Sequence, residues 1–385
     1  MISRKVESMK PFIAMDIMER AHQMEAAGED VVHLEVGEPD FETPACVVEA
    51  AIRALREGKT HYTDSLGIPA LREAVAEETR SRTGQAVDPG RVIITSGSSP
   101  AMLLLFATLL EAGDEVILSD PHYACYPNFI RFFGANPVTI PVSAEEGFLL
   151  DPAEVAARVT PRTRGILINS PANPTGAVLD GERLAALAAL GPPLLSDEVY
   201  HGLVYEGEAL SALAFSQGAY ILNGFSKRYA MTGWRLGYVI VPPGSVRAVQ
   251  KLQQNFFISP NSFVQWAGVT ALTKAAPDLE AMRKTYARRR PFLIEGLRDL
   301  GFRIPVSPKG AFYVFADARH VDGDSKRLAF DLLERARVGV TPGVDFGPGG
   351  EGFLRFSYAA SEERIREALS RLEGYLRENA RGPAR

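Results

Sequence analysis

Lys227 and Arg235 stand eight residues apart in the segment Gly224-Phe225-Ser226-Lys227-Arg228-Tyr229-Ala230-Met231-Thr232-Gly233-Trp234-Arg235-Leu236-Gly237. A strand-like run at 220–225 leads directly into it. A lysine amine forms a Schiff base with a carbonyl when its pocket holds it partly neutral. Ser226, Arg235 and the glycine-loosened backbone between them suit an anion beside that carbonyl, such as a phosphate ester. An aldehyde and a phosphate at opposite ends of one small ring describe pyridoxal 5′-phosphate, and this segment predicts a seat for it. Taken alone, a Ser-Lys pair is usually a surface lysine, so the reading depends on what the rest of the chain supplies.

Three further motifs follow strand-like runs, where helix N-termini point into a crevice. Ser96-Gly97-Ser98-Ser99-Pro100 follows the run 91–95 and precedes an apolar helix. With Ser99 as N-cap and Pro100 in the first helical position, free amides and the positive dipole end face a ligand. Asp197-Glu198-Val199-Tyr200 follows the apolar run 193–195, and a carboxylate at a buried strand end needs a partner. A pyridinium nitrogen is such a partner, and the ion pair keeps the ring able to accept electrons. Tyr200 is placed to hydrogen-bond the phenolate oxygen of that ring. The third motif, Asn169-Ser170-Pro171-Ala172-Asn173-Pro174-Thr175-Gly176, signals a turn whose Asn173 amide suits both a ring oxygen and a substrate carboxylate. Each motif is common by itself. Their conjunction is not.

In order and spacing, over essentially the whole chain, these motifs resemble the class I aminotransferases, the aspartate aminotransferase-like enzymes of fold type I. The resemblance implies that Lys227 carries the cofactor as a Schiff base and moves the substrate α-proton, with Asp197 and Tyr200 tuning the ring. It further implies that Gly97, Ser98, Ser99, Ser226 and Arg235 hold the phosphate, while Tyr123 lies against the ring face and Asn173 contacts the cofactor. Gly37, in Leu34-Glu35-Val36-Gly37-Glu38-Pro39-Asp40-Phe41, would lie over the substrate. Arg355, in Phe353-Leu354-Arg355-Phe356-Ser357-Tyr358, would fork onto the substrate α-carboxylate together with Asn173. His61-Tyr62 followed by Gly67, Leu71 and Arg72 matches the family segment whose tyrosine reaches the phosphate in the neighbouring subunit. A homodimer with shared active sites is therefore expected, exchanging an amino group between an L-amino acid and a 2-oxo acid such as 2-oxoglutarate or pyruvate. The segment Asn255-Phe256-Phe257-Ile258-Ser259-Pro260-Asn261 carries no cation, and Phe12-Ile13-Ala14 is apolar, which favours neutral or aromatic donors. Aspartate is the alternative donor. A C–S lyase, a cyclopropane-carboxylate synthase or a decarboxylase on the same fold also stays open.

The elements that must position these residues follow from periodicity. Strand-like runs at 91–95, 115–119, 137–142, 165–169, 194–196, 220–225 and 237–241 alternate with helical stretches at 100–111, 152–159 and 181–189. Several runs are apolar throughout, as strands covered on both faces should be. The expected fold class is α/β: a mostly parallel large-domain sheet with helices on both faces, plus a smaller α+β domain. Long helices at 261–274 and 278–300 precede strands at 312–316 and 353–357 and helices at 326–337 and 362–379. The expected division is an N-terminal arm and part of the small domain at 1–40, a large cofactor domain at 41–280, and the small domain at 281–385.

Composition narrows the class of partner. The chain has 385 residues, 46% of them hydrophobic, and a formal charge of −5, which offers no footing for nucleic acid or anionic membranes. Cys46 and Cys125 have no metal-type neighbours, so neither a disulfide nor a metal site is expected, and a reducing cytoplasm is the default. Residues 1–11 lack the apolar core of a secretory signal, and the apolar run 101–110 is too short for a bilayer. No G-x-G-x-x-G follows a strand, which argues against a dinucleotide enzyme, and no basic module before Gly37 suits DNA.

Overall fold

The computed structural model describes residues 2–7 and 9–380, so the end of the expected small domain, 381–385, lies outside the described residues. The chain enters through the helix Ile13–Ala26 and the two-residue strand β1 (Val32–His33). Seven strands then build the principal sheet: β2 (Val92–Thr95), β3 (Glu115–Asp120), β4 (Asn136–Pro141), β5 (Thr163–Asn169), β6 (Leu194–Asp197), β7 (Tyr220–Gly224) and β8 (Gly237–Ile240). Their order across the sheet is β2-β8-β7-β6-β5-β3-β4, and only β8 runs against its neighbours. Every residue of β2, β6, β7 and β8 is buried, which explains why these strands read as unbroken apolar runs rather than alternating ones.

The register aligns the chemistry. Asn169, at the end of β5, pairs with Asp197 at the end of β6, which in turn pairs with Leu222 of β7. Gly224, ending β7, pairs with Gly237, which opens β8, and Gly237 pairs with Thr95, which ends β2. Because β8 is antiparallel, the loop before it lies at the same sheet edge as the loops after its neighbours. Arg235 therefore reaches the edge already occupied by Gly97, Asn173, Asp197 and Lys227.

After the helix Ser262–Lys274, the 24-residue helix Ala276–Asp299 joins two apolar cores. Its first turns place Leu279 and Met282 in the core of the principal sheet, and its later turns place Tyr286, Leu293 and Leu297 in a second core. The expected division at residue 280 falls inside this helix, which runs through Pro291 without ending. The second core covers β9 (Tyr313–Asp317), β10 (Val338–Gly339), β11 (Thr341–Pro342) and β12 (Phe353–Ser357). β12 lies between β11 and β9, all antiparallel, and β1 pairs in parallel with β10. The amide of Leu34 donates to Gly339 and that of Ser357 to Leu34, so the N-terminal segment packs on this second sheet as its sequence suggested. Among the described residues, no helix is long and apolar enough to cross a membrane.

Candidate active site

One cavity of about 580 Å³ lies between the edge of the principal sheet and the N-terminal segment with β9 and β12. Gly37, Ser98, Ser99, Tyr123, Asn173, Asp197, Tyr200, Ser226, Lys227, Arg235 and Arg355 all line it. Residues drawn from nearly the whole chain thus converge on one volume.

Lys227 follows β7 by three residues, and its Nζ donates to the carbonyl of Gly37. Burial lowers its ammonium from the ordinary 10.5 to about 8; Arg355 and Arg235 push the same way, while Glu38 and Asp197 oppose. The lowered value leaves far more of the amine neutral near neutrality than an exposed lysine would have, as a nucleophilic amine needs.

Asp197 is buried at the end of β6, where Tyr126 donates to its Oδ2 at 2.7 Å and the Val199 amide to its Oδ1 at 3.2 Å. Burial still raises its carboxyl above the ordinary range, against both hydrogen bonds and the positive charge of Lys227. Asn169 holds the loop from both sides: its Nδ2 donates to the Asp197 carbonyl at 3.0 Å, and its Oδ1 accepts from the Asn173 amide at 2.8 Å.

The loop after β2 differs in detail from the expected cap. The helix Ser98–Leu109 starts at Ser98 with Gly97 as N-cap, so Ser99 and Pro100 lie inside the first turn. The cause is Gly97 itself, whose φ of 106° turns the chain out of the strand before Ser99 is reached. A Cβ on Gly97 would stand 2.6 Å from a guanidinium nitrogen of Arg235, so only glycine permits that approach. Arg235 adopts φ 54° and donates from Nη1 to the Thr232 carbonyl at 2.9 Å. Its guanidinium and the first-turn amides of the helix share the edge of one anion seat.

Arg355 sits on β12, opposite Thr341 and Phe315, and is buried. Its Nη1 donates to Asn173 Oδ1 at 2.9 Å, and its Nη2 donates to Thr341 Oγ1 at 3.0 Å and to the Glu35 carbonyl. Its Nε has no partner, and the guanidinium lies 4.3 Å from the centre of the Tyr313 ring. These direct partners are neutral oxygens and an aromatic face, and the carboxylate of Asp345 acts on the guanidinium only at longer range.

Several lining residues escaped the sequence. Tyr126 braces Asp197, and Tyr313 bonds the Tyr200 hydroxyl at 2.7 Å while standing over Gly37, where a Cβ would meet the Tyr313 hydroxyl at 2.1 Å. Tyr313 had been visible only as part of a strand, because its role depends on Gly37 and Arg355 coming to it from distant segments. Met15, Met18 and Met102 add apolar wall beside Phe12. Of the expected site residues, Gly97 lies just behind the lining, against the Arg235 guanidinium, and Tyr62 lies outside, 82% exposed.

The charges of the cavity are complementary to one kind of molecule. An anion seat beside Arg235, a partly neutral amine at Lys227, a buried carboxylate at Asp197 and a buried guanidinium at Arg355 match a phosphate, an aldehyde, a ring nitrogen and a carboxylate. The Gly97 cradle would be filled by any Cβ. Pyridoxal 5′-phosphate fits this donor set.

Comparison with known proteins agrees. A family model described as aminotransferase class I and II matches residues 29–372. The aspartate/prephenate aminotransferase of Thermus thermophilus is 43% identical over 383 residues, covering 97% of this chain and 98% of that protein. The (5-formylfuran-3-yl)methyl phosphate transaminase of Methanocaldococcus jannaschii is 41% identical over 380 residues, covering 98% and 100%. The valine–pyruvate aminotransferase of Mycobacterium tuberculosis is 40% identical over 374 residues, covering 95% and 96%. A solved structure of the T. thermophilus aspartate aminotransferase with maleate superposes with a TM-score of 0.94 at 43% identity, covering 97% of this chain and 99% of that one. The chain belongs to the class I and II aminotransferases and is a pyridoxal 5′-phosphate-dependent transaminase of fold type I, moving an amino group from an amino acid to a 2-oxo acid.

Proposed function

We propose that the amino donor is an L-amino acid with a neutral apolar or aromatic side chain, held by its α-carboxylate on Arg355 and Asn173. The observation that carries this reading is the apolar share of the cavity lining: Phe12, Ala14, Met15, Met18 and Met102 line it, and the cations of the cavity are Lys227, Arg235 and Arg355. Each of these three has a task set by the cofactor or the α-carboxylate, which leaves none for a second, distal carboxylate. Flexible methionines also adapt to side chains of differing shape.

The bound cofactor supplies an electron sink for the bond broken at the substrate Cα. The chain's own groups do the remaining work. Arg355 and Asn173 would orient the amino acid, and the Lys227 amine would take the proton from its Cα and deliver one to the cofactor carbon on the other side of the amino nitrogen. Asp197 keeps a positive charge on the ring nitrogen, and Tyr126 keeps Asp197 in place. Gly97, Ser98, Ser99, Ser226 and Arg235 anchor the phosphate, while Tyr123 and Tyr200 bound the ring. The large unit at 41–280 would carry the cofactor residues, the unit at 281–385 would carry Arg355, and the segment 1–40 would add Gly37.

A donor panel with 2-oxoglutarate and with pyruvate tests the substrate class. Phenylalanine, leucine or methionine should exceed aspartate in kcat/KM by about tenfold or more, the scale on which apolar pockets discriminate. A clear preference for aspartate, one of the substrates in the name of the T. thermophilus relative, would reverse the assignment.

The same reading makes the active unit a homodimer. Tyr62, Phe256 and Ile258 are 82%, 59% and 52% exposed in the single chain, which suits residues that complete a neighbour's site. Tyr62→Ala mixed with Lys227→Ala under subunit exchange should restore one site per heterodimer, with Lys227 from one chain and Tyr62 from the other. Cofactor affinity at that site should return toward the wild-type value. Affinity that stays as weak as in the Tyr62→Ala protein alone, or an active monomer in sedimentation, would exclude shared sites.

A further inference from the structure

Outside the cavity, the helix Ile13–Ala26 and the strand β1 bring His22, Glu25 and His33 together, with one ligand atom from each within 4.8 Å of the others. His22 and Glu25 are three residues apart and share a helix face. His33 approaches that face with its ring 5.7 Å from the His22 ring and its Nε2 3.1 Å from Glu25 Oε1. On the inner side, His33 Nδ1 lies 2.7 Å from Oε1 of Glu35, a fully buried carboxylate whose Oε2 has no partner.

We propose that His22, Glu25 and His33 form a surface site for a divalent transition-metal ion of borderline softness, Zn2+ in type, with Glu35 as the outer carboxylate behind His33. Two imidazoles and one carboxylate are a ligand set that such ions favour, with water completing the coordination. A carboxylate on the inner nitrogen is what orients metal-binding histidines: it fixes the tautomer and directs the other nitrogen outward. A plain ion pair between His33 and Glu25 would require neither His22 nor a second, buried carboxylate on the far side of the ring. Without an ion, His33 Nε2 and Glu25 Oε1 lie 3.1 Å apart, within hydrogen-bond distance. An ion bound between them would release any proton they share to solvent. Ligand atoms must close to about 2.0–2.2 Å from the ion. His22 and Glu25 are exposed, while His33 is half-buried and anchored by Glu35. The motif His22-x2-Glu25-x7-His33 carries no signal by itself, since the three meet only once helix and strand have packed.

The holoenzyme, freed of metal by a chelator and dialysed against Zn2+, should take up one ion per chain. His22→Ala and Glu25→Gln, both at exposed positions, should each weaken binding about 100-fold, while Glu35→Gln should lower it roughly 10–100-fold without removing a ligand. If the buried Glu35→Gln protein does not fold, the two exposed variants decide alone. No stoichiometric uptake by the wild-type protein, or uptake undiminished in both His22→Ala and Glu25→Gln, overturns the proposal.

Discussion

Lys227→Ala is expected to abolish amino transfer, lowering turnover by about 10⁴-fold or more, the upper range for loss of a positioned acid–base group. The expectation rests on geometry and on charge. Lys227 extends from the end of β7 into the cavity, where burial brings its amine down to about 8, so it serves both as nucleophile and as proton carrier. Cofactor binding should weaken but persist, because the phosphate seat at Gly97, Ser98 and Arg235 and the carboxylate of Asp197 are untouched. Folding should hardly change, since the substitution removes a partly desolvated charge and leaves only the Gly37 carbonyl without its donor. Borohydride reduction and peptide mapping provide the check. A pyridoxyl label on any lysine other than Lys227 would end the assignment.

Asp197→Ala should slow the proton-transfer half-reaction on the order of 10³-fold, the scale of removing one preorganised charge from a dry site. Asp197 is a buried carboxyl raised by desolvation, and its hydrogen bonds to Tyr126 and Val199 do not bring it back to the ordinary range. A buried acid in that condition is stabilised by gaining a cation, and a protonated ring nitrogen is the cation this cavity is shaped to admit. Stability should fall far less than activity, because the substitution removes a costly charge while leaving the Tyr126 hydroxyl unpaired. The decisive measurement is a single-turnover half-reaction with amino acid alone, set beside the thermal midpoint. A near-wild-type half-reaction rate in Asp197→Ala would reduce Asp197 to a structural carboxylate. Tyr126→Phe should produce a smaller loss, since Tyr126 touches Asp197 and acts through it.

How much of this was readable without coordinates depends on how far apart the cooperating residues lie. The strands of the principal sheet were legible within a residue or two, and for β2, β6, β7 and β8 the burial of every residue leaves continuous apolar runs between turn signals. The site residues at those strand ends were legible for the same reason: Asp197 closes β6, and Asn173 and Lys227 stand a few residues beyond β5 and β7, where parallel sheets place their ligands. The start of the helix at 98 was missed by two residues, since Gly97 caps it through a positive φ that no local propensity scale reports.

Contacts between distant segments belong to the tertiary structure alone. Arg355 meets Asn173 across 182 positions of sequence, and Tyr126 meets Asp197 across 71. Tyr313 bonds Tyr200, stacks on Arg355 and leaves room only for glycine at position 37. Local propensity, capping and periodicity act over a turn or a strand, so the sequence by itself determined which residues were reactive and which elements carried them. The antiparallel β8, which turns Arg235 toward the edge shared by Lys227 and Asp197, and the packing of β1 beside β10 that places Glu35 under Arg355, depend on long-range pairing. Such pairing forms only when the segments that share a core have already found one another, and that is why folding, and not the local code, decided the shape of the cavity.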